Sequence, residues 1–264
     1  MKEGMKVLTP YQVASLRIIS AGLVLIPFAA KAFRNIPSNK RGMVVLSGLL
    51  GSFFPAYLFC IAETKIDSSL AGILNALTPL FVILTGISFF KLQIKTAQII
   101  GIVIGFIGLC LLVAAGGNIS LAYFSYALLV LLATLLYGIN VNMVAKYMQG
   151  VGSLEMASLA FVSLLPLCLG ILYFTGYFSL PLLQKSYFIS TSASAILGIF
   201  GTAIASVLFY MLVKRAGALF ASMVTYGIPF VAIGWGIWDG ELVNAIQVFC
   251  LAIILLGVYL ANKK

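Results

Sequence analysis

Few side chains in this chain could do chemistry, so their positions carry the argument. Arg17 is the one basic residue set inside a long apolar run rather than at its end. A charge at such depth is costly and marks a functional site by default. It either meets the anionic group of a bound solute, or its long stem carries the guanidinium back to the surface. Asn75 and Thr225 are polar residues within apolar runs, and each stands four residues before a proline, Pro79 or Pro229. A proline inside a helix leaves the carbonyl four residues back without its donor and kinks the helix. In lipid such a carbonyl is tolerated where it faces a cavity or neighbouring helices. The two prolines are therefore read as hinges beside a cavity, and ordinary packing kinks are the alternative. Tyr137 and Asn140 are three apart and share a helix face. Tyr57 with Phe54, and Tyr210 with Ser206, lie at similar depths in other runs. Rings with a polar tip can shape and orient a small amphipathic solute, or simply pack the core or an interfacial belt. The candidate solute-binding set is Asn75, Thr225, Tyr137, Asn140, Tyr57, Tyr210 and Arg17.

Other chemistry finds little support. The chain has no histidine, which removes histidine metal sites, Ser-His-Asp hydrolysis and histidine proton relays together. Its four cysteines, Cys60, Cys110, Cys168 and Cys250, all lie in apolar runs and read as small packing residues. The acids are Glu3, Glu63, Asp67, Glu155, Asp239 and Glu241, and all but Glu3 fall at or near run ends. A carboxylate buried in a span is the usual proton carrier of coupled transporters. None is evident, and Glu63 comes nearest. No phosphate-binding loop, zinc spacing or pair of catalytic carboxylates occurs. The expectation is no catalytic residue, no metal and no cofactor.

The elements that must hold these residues are membrane spans. Hydrophobic residues make up 62% and charged residues 8% of the 264, against roughly 25% charge in a soluble domain. The fold class expected is all-α, a polytopic helical membrane protein. Nine runs are long enough to cross a bilayer, near 11–31, 42–62, 69–90, 96–116, 122–146, 155–175, 191–213, 218–238 and 243–262. Gly101, Gly105 and Gly108 along one run are read as a close-packing stripe. Basic residues sit at loop ends without interleaved aromatics, so nucleic acid is not an expected partner. Assigned to alternate loops, eleven Lys and Arg fall on one side and four on the other. The positive-inside rule puts the eleven, and the C-terminus, in the cytosol, and Met1 outside.

The chain also repeats itself. In a frame of 150 residues, Gly48, Gly51 and Gly86 fall on Gly198, Gly201 and Gly236, and Pro79 falls on Pro229. Segments 48–92 and 198–242 align without a gap. Earlier, Gln12-Val13-Ala14-Ser15-Leu16 matches Glu155-Met156-Ala157-Ser158-Leu159, so the first run is a retained span and not a cleaved leader. Five spans separate each segment from its partner, so the two halves run in opposite directions across the membrane. Residues 1–116 form a first repeat of four spans and residues 117–264 a second of five. The span at 122–146 has no partner, and a further apolar helix of about 25–35 residues is expected upstream of Met1.

The segment SSLAGILNALTPLFVILTGISFF followed by KLQIKTAQIIGIVIGFIGLCLLV resembles the fourth and fifth helices of EamA-type transporters of the drug/metabolite transporter superfamily. The segment GALFASMVTYGIPFVAIGWGIWDGELVNAIQVFCLAIILLGVYL resembles their ninth and tenth. The resemblance implies ten helices, both termini cytosolic, and a central cavity between inverted halves. It also implies alternating access, small metabolites or drugs as solutes, the plasma membrane as location, and export as the direction. Tyr137 falls where an aromatic is common in the family. The family's acidic residue after the proline-bearing helix is kept as Glu241, while its first-half equivalent is Lys91, a departure, as is the absent first helix. Expected partners are a small-molecule solute and the lipid bilayer, with a homodimer left open. A membrane-embedded lipid-modifying enzyme and an inactive truncated remnant are the rival readings. A reporter fused after Lys264 that fluoresces only in the cytosol should light up; a dark, well-expressed fusion would contradict the loop charges.

Overall fold

In the computed structural model, residues 3–66, 68–114, 124–227 and 245–262 are described. They form a polytopic helical membrane protein. Among the described residues, five helices are long and apolar enough to cross a membrane: α1 (Pro10–Asn35), α2 (Ser38–Ala62), α6 (Phe124–Tyr147), α7 (Ser153–Phe174) and α8 (Lys185–Ala216). Between and after them come α3 (Ser68–Asn75), α4 (Thr78–Phe90), α5 (Thr96–Ala114), α9 (Ala218–Gly227) and α10 (Ala245–Asn262). Pro229, the second proposed hinge, and Glu241 lie outside the described residues.

Two boundaries differ from those expected. The run 69–90 is two helices, because the chain turns at 76–77 and restarts at Thr78 with Pro79 in the first turn. Proline lacks the N–H that a continuous helix would need there, and it suits the opening turn of a new one. The run 191–213 begins earlier, at Lys185, because a short 3-10 turn at Tyr177–Ser179 takes up the preceding loop.

The repeat is visible in local structure. Both α2 and α8 contain one wide helical segment with i to i+5 bonding, at Leu49–Phe53 and at Ile199–Ile204. The two lie in the same 150-residue frame as the paired glycines. The starts of α1 and α7 also match. Gln12 accepts from the Thr9 N–H, and Glu155 accepts from the Gly152 N–H, so each helix has its first free donors covered in the same way. Thr9 adds its own side-chain cap, accepting from Gln12 N at 3.3 Å; a glycine at 152 has no side chain to do so. Ser15 and Ser20 in α1, and Ser158 and Ser163 in α7, each donate to the carbonyl one turn back.

The halves are laced together by the same contacts made twice. At Gly48 of α2 a side chain would press on Ala160 of α7. At Gly198 of α8 it would collide with Ser20 and with the backbone of Arg17 in α1. In the register that pairs Gln12 with Glu155, Arg17 pairs with Ala160. The repeat-related helices α2 and α8 thus each pack on the other half's member of the second matched pair, α7 and α1. On the far side, α5 and α10 cross so closely that a Cβ on Gly257 would overlap the backbone of Gly105 and Gly101. The glycine stripe is a helix crossing, as its spacing suggests.

Among the described residues the symmetry fails where α6 packs. In the first half, α6 covers Phe59, Ala62 and Ala71, with Leu58 and Leu74 packed at the edge. Their counterparts Leu208 and Val224 on α8 and α9 are 60% and 55% exposed. Replacing Gly257 by Leu should wedge α5 from α10 and cost about 1–3 kcal/mol. Thermal unfolding in detergent micelles, followed by intrinsic fluorescence, should show a lower midpoint for Gly257→Leu, with Gly170→Leu, which meets only open space, as the near-neutral control.

Candidate functional site

A cavity of about 510 Å³ lies where the two halves meet, within the range usual for small-molecule sites. Four structural interruptions supply parts of its wall, while the wide segment at Gly86–Phe90 of α4 does not reach it. Gly51 and Ser52 come from the wide segment of α2, and Gly201 and Thr202 from that of α8. Asn75 and Thr78 flank the break between α3 and α4, Val224 and Thr225 belong to the tightened end of α9, and Ser222 is the last α-helical residue before it. Arg17 and Ile18 of α1, Tyr137, Asn140 and Val141 of α6, and Ser206, Phe209 and Tyr210 of α8 complete the lining named here. Wide helical turns are frequent at functional sites, because the extra residue bulges outward and re-aims its neighbours.

Polar contacts fix the walls. Ser47 of α2 is fully buried and donates to Asn140 Oδ1 of α6 at 2.7 Å, with the Tyr210 hydroxyl of α8 at 3.4 Å. Three helices are thereby tied at one buried point beside the cavity. Gly51 abuts the Asn140 amide so closely that any side chain there would collide with it. Tyr137 stacks on Phe59, ring centroids 6.2 Å apart. Arg17, half-buried in α1, donates from Nη2 to Thr202 Oγ1 at 3.3 Å. Arg17 is among the residues lining the cavity.

The broken helices satisfy themselves. The Asn75 carbonyl accepts from the Thr78 hydroxyl at 2.5 Å, so the acceptor released by Pro79 is covered by a side chain three residues on. Ser222 donates to the Leu219 carbonyl and Thr225 to that of Ser222. These hydroxyls have their hydrogens engaged and present oxygen lone pairs to the cavity.

Six of the seven residues singled out from the sequence line this one cavity: Asn75, Thr225, Tyr137, Asn140, Tyr210 and Arg17. Tyr57 does not. Its hydroxyl pairs with Ser15 at 2.6 Å and reaches Cys168 at 3.9 Å, so the ring points to α1 and α7, while its neighbour Ala56 reaches the cavity. Phe54 is 45% exposed on the outer face and is likewise not in the lining. Residues that sequence reasoning passed over are Ser47, Ser52, Thr78 and Thr202. The paired Gly48/Gly51 and Gly198/Gly201 were the available signal, since glycine in a span marks a close approach. Asn142 was also missed; it joins α6 to α4 by donating to the Val82 carbonyl at 2.8 Å and to Thr85 Oγ1 at 3.0 Å.

A helical membrane bundle with paired interrupted helices around a central cavity has the architecture of a carrier. The model of the EamA-like transporter family matches residues 1–114 and 124–263. The chain belongs to that family, and is a membrane transporter of the drug/metabolite superfamily. A solved structure titled only "Crystal structure of protein" is similar in fold, with TM-score 0.73 and 19% identity over 98% of this chain and 90% of that one. No curated protein matches.

Gly51→Ala should displace the Asn140 amide and lower the unfolding midpoint by the equivalent of about 1–3 kcal/mol. Adding Asn140→Ala should restore part of it, giving a non-additive cycle. Strict additivity of the two substitutions would show that the contact is not the cause.

Proposed function

We propose that this protein is a secondary carrier that moves small metabolites or drugs out across the plasma membrane by alternating access, with the C-terminus in the cytosol. The observation that carries the reading is the convergence of interruptions. Two wide segments, one helix break and one tightened helix end, drawn from both halves, face a single cavity. Interrupted helices are the places where membrane carriers expose backbone and polar groups to a solute.

On this reading residues 1–116 and 117–264 are the two moving units. The family's separate matches, 1–114 and 124–263, support that division. The laced contacts at Gly48 and Gly198 support rocking about the α1–α7 region, because they rest on α7 and α1 respectively. Pro79, at the restart of α4, is the hinge within the described residues. Asn75, Thr225, Tyr137, Asn140, Tyr210 and Arg17 contact the solute. Tyr57 positions α1 against α2 and α7 without touching it. The reading uses one chain and gives no role to a second copy.

The reading is tested without knowing the solute. Asn75→Cys and Thr225→Cys, placed singly in a chain whose native cysteines are replaced by alanine, should react with a membrane-impermeant maleimide from one face in one state. Conditions that shift the carrier, such as a loaded metabolite extract, should move the reactivity to the other face. Cells lacking the protein should accumulate at least one small metabolite relative to cells expressing it. Labelling from neither face, together with unchanged metabolites, would overturn the reading.

A further inference from the structure

We infer that the hydrogen-bonded knot of Ser47, Asn140 and Tyr210 is the gate between the cavity and the basic end of the bundle, shut in this structure. The inference rests on the carrier reading and names the residues that govern one of its two exits.

The basic end is where α1, α6 and α8 finish and α2, α7 and α9 start; Arg34, Lys40, Lys146, Lys214 and Arg215 gather there. On four helices the cavity lining stops short of that end, and buried residues follow. On α2 the lining begins at Gly51, and Val44 and Ser47 lie nearer the end. On α6 it stops at Val141, before Val144 and Met148. On α8 it stops at Leu212, before Val213, and on α9 it begins at Ser222, after Ala221. Val44, Val144, Met148, Val213 and Ala221 are each at most 1% exposed and belong to one buried cluster. They form a layer that separates the cavity from the basic end.

Ser47 lies in that layer. It does not line the cavity, but both its partners do. Its hydroxyl donates to Asn140 Oδ1 at 2.7 Å and has the Tyr210 hydroxyl at 3.4 Å. Ser47 belongs to residues 1–116 and its partners to 117–264, so the knot ties one proposed moving unit to the other. A second set of contacts lies nearer the surface. Lys40 donates to the Gln149 carbonyl at 3.1 Å, and Asn35 donates to Glu155. Those bonds are exposed, and water replaces them at little net cost. The knot differs, because a buried amide or hydroxyl left without its partner carries its full desolvation penalty. The knot therefore decides whether the layer parts. Parting is feasible, since Asn140 and Tyr210 face the cavity, where water or a solute takes up their bonds. Ser47 can turn to the carbonyl one turn back, as Ser15 and Ser20 do in α1.

The test reads which face of the membrane reaches the cavity. Ser206 of α8 lines the cavity outside the knot. Ser206→Cys is placed in the full chain with its native cysteines replaced by alanine, and sealed vesicles are labelled with a membrane-impermeant maleimide. Arg215→Cys, at an exposed position, identifies the vesicles whose outer face is the basic end. With the knot intact, labelling from the basic face should be the slower of the two. Ser47→Ala should raise the basic-face rate about tenfold or more and leave the other within about twofold. Lys40→Ala should change neither by more than about twofold. Equal rates with the knot intact, or a basic-face rate that Ser47→Ala leaves unchanged, overturn the proposal. A parallel rise from both faces marks general loosening and also overturns it, as does an equal effect of Lys40→Ala. If Ser47→Ala does not fold, Tyr210→Phe decides: the longer bond it removes should give a rise of about threefold from the basic face alone, and no rise overturns the proposal. Basic-face opening in Ser47→Ala while no metabolite moves would sink the carrier reading and leave the knot as the door of a binding pocket. Metabolite movement with basic-face labelling indifferent to the knot would do the reverse.

Discussion

The structure depends on one constraint: in lipid, a backbone N–H or C=O that leaves its helix must find another partner within the protein. The departures from regular helix that line the cavity are answered locally. The Asn75 carbonyl is taken by Thr78, and the carbonyls of Leu219 and Ser222 by Ser222 and Thr225. The wide segments of α2 and α8 keep their own bonds by lengthening the loop of each one. Interruption thus costs little, and it lets polar surface be concentrated where four such places meet. The cavity is a consequence of where the helices are allowed to break.

A second consequence is the use of small residues. Without a hydrophobic drive between helices in lipid, association rests on close packing and a few interhelical bonds. Gly48, Gly198 and the Gly101–Gly105–Gly257 crossing bring backbones together, and Ser47, Asn140 and Asn142 add bonds between α2, α6 and α4. The two kinds of contact have different tasks. The glycines set the distance between the halves. The buried amides fix which face of α6 looks into the cavity, and so aim Tyr137.

The cavity's chemistry follows from an imbalance. Its described lining includes one cation and no acid, and its hydroxyls are largely committed as donors to the backbone. A site assembled from broken helices is naturally rich in acceptors, because the hydroxyls that repair the backbone turn their hydrogens inward. The position of Arg17 on α1, where it meets Thr202 of the wide segment of α8, depends on Gly198 leaving room for the α1 backbone.

The amino-acid sequence by itself determined the class and five of the spans, and it displays the repeat. Composition allowed only a membrane protein, and the spacing of glycines and prolines is a linear property that survives without coordinates. It also picked out Asn75 and Thr225, because a polar residue four before a proline is a local backbone statement. Tertiary structure decided which polar residues converge. Tyr57 and Tyr210 lie at similar depths in matching spans, yet one turns to Ser15 and the other to the cavity. Rotation of a helix about its axis is set by its neighbours, and a span that is apolar on all sides carries no signal of it. Ser47 and Thr202 escaped notice for the same reason. The wide segments that turn Gly51, Ser52, Gly201 and Thr202 inward arise from packing between the halves, which no stretch of sequence displays alone.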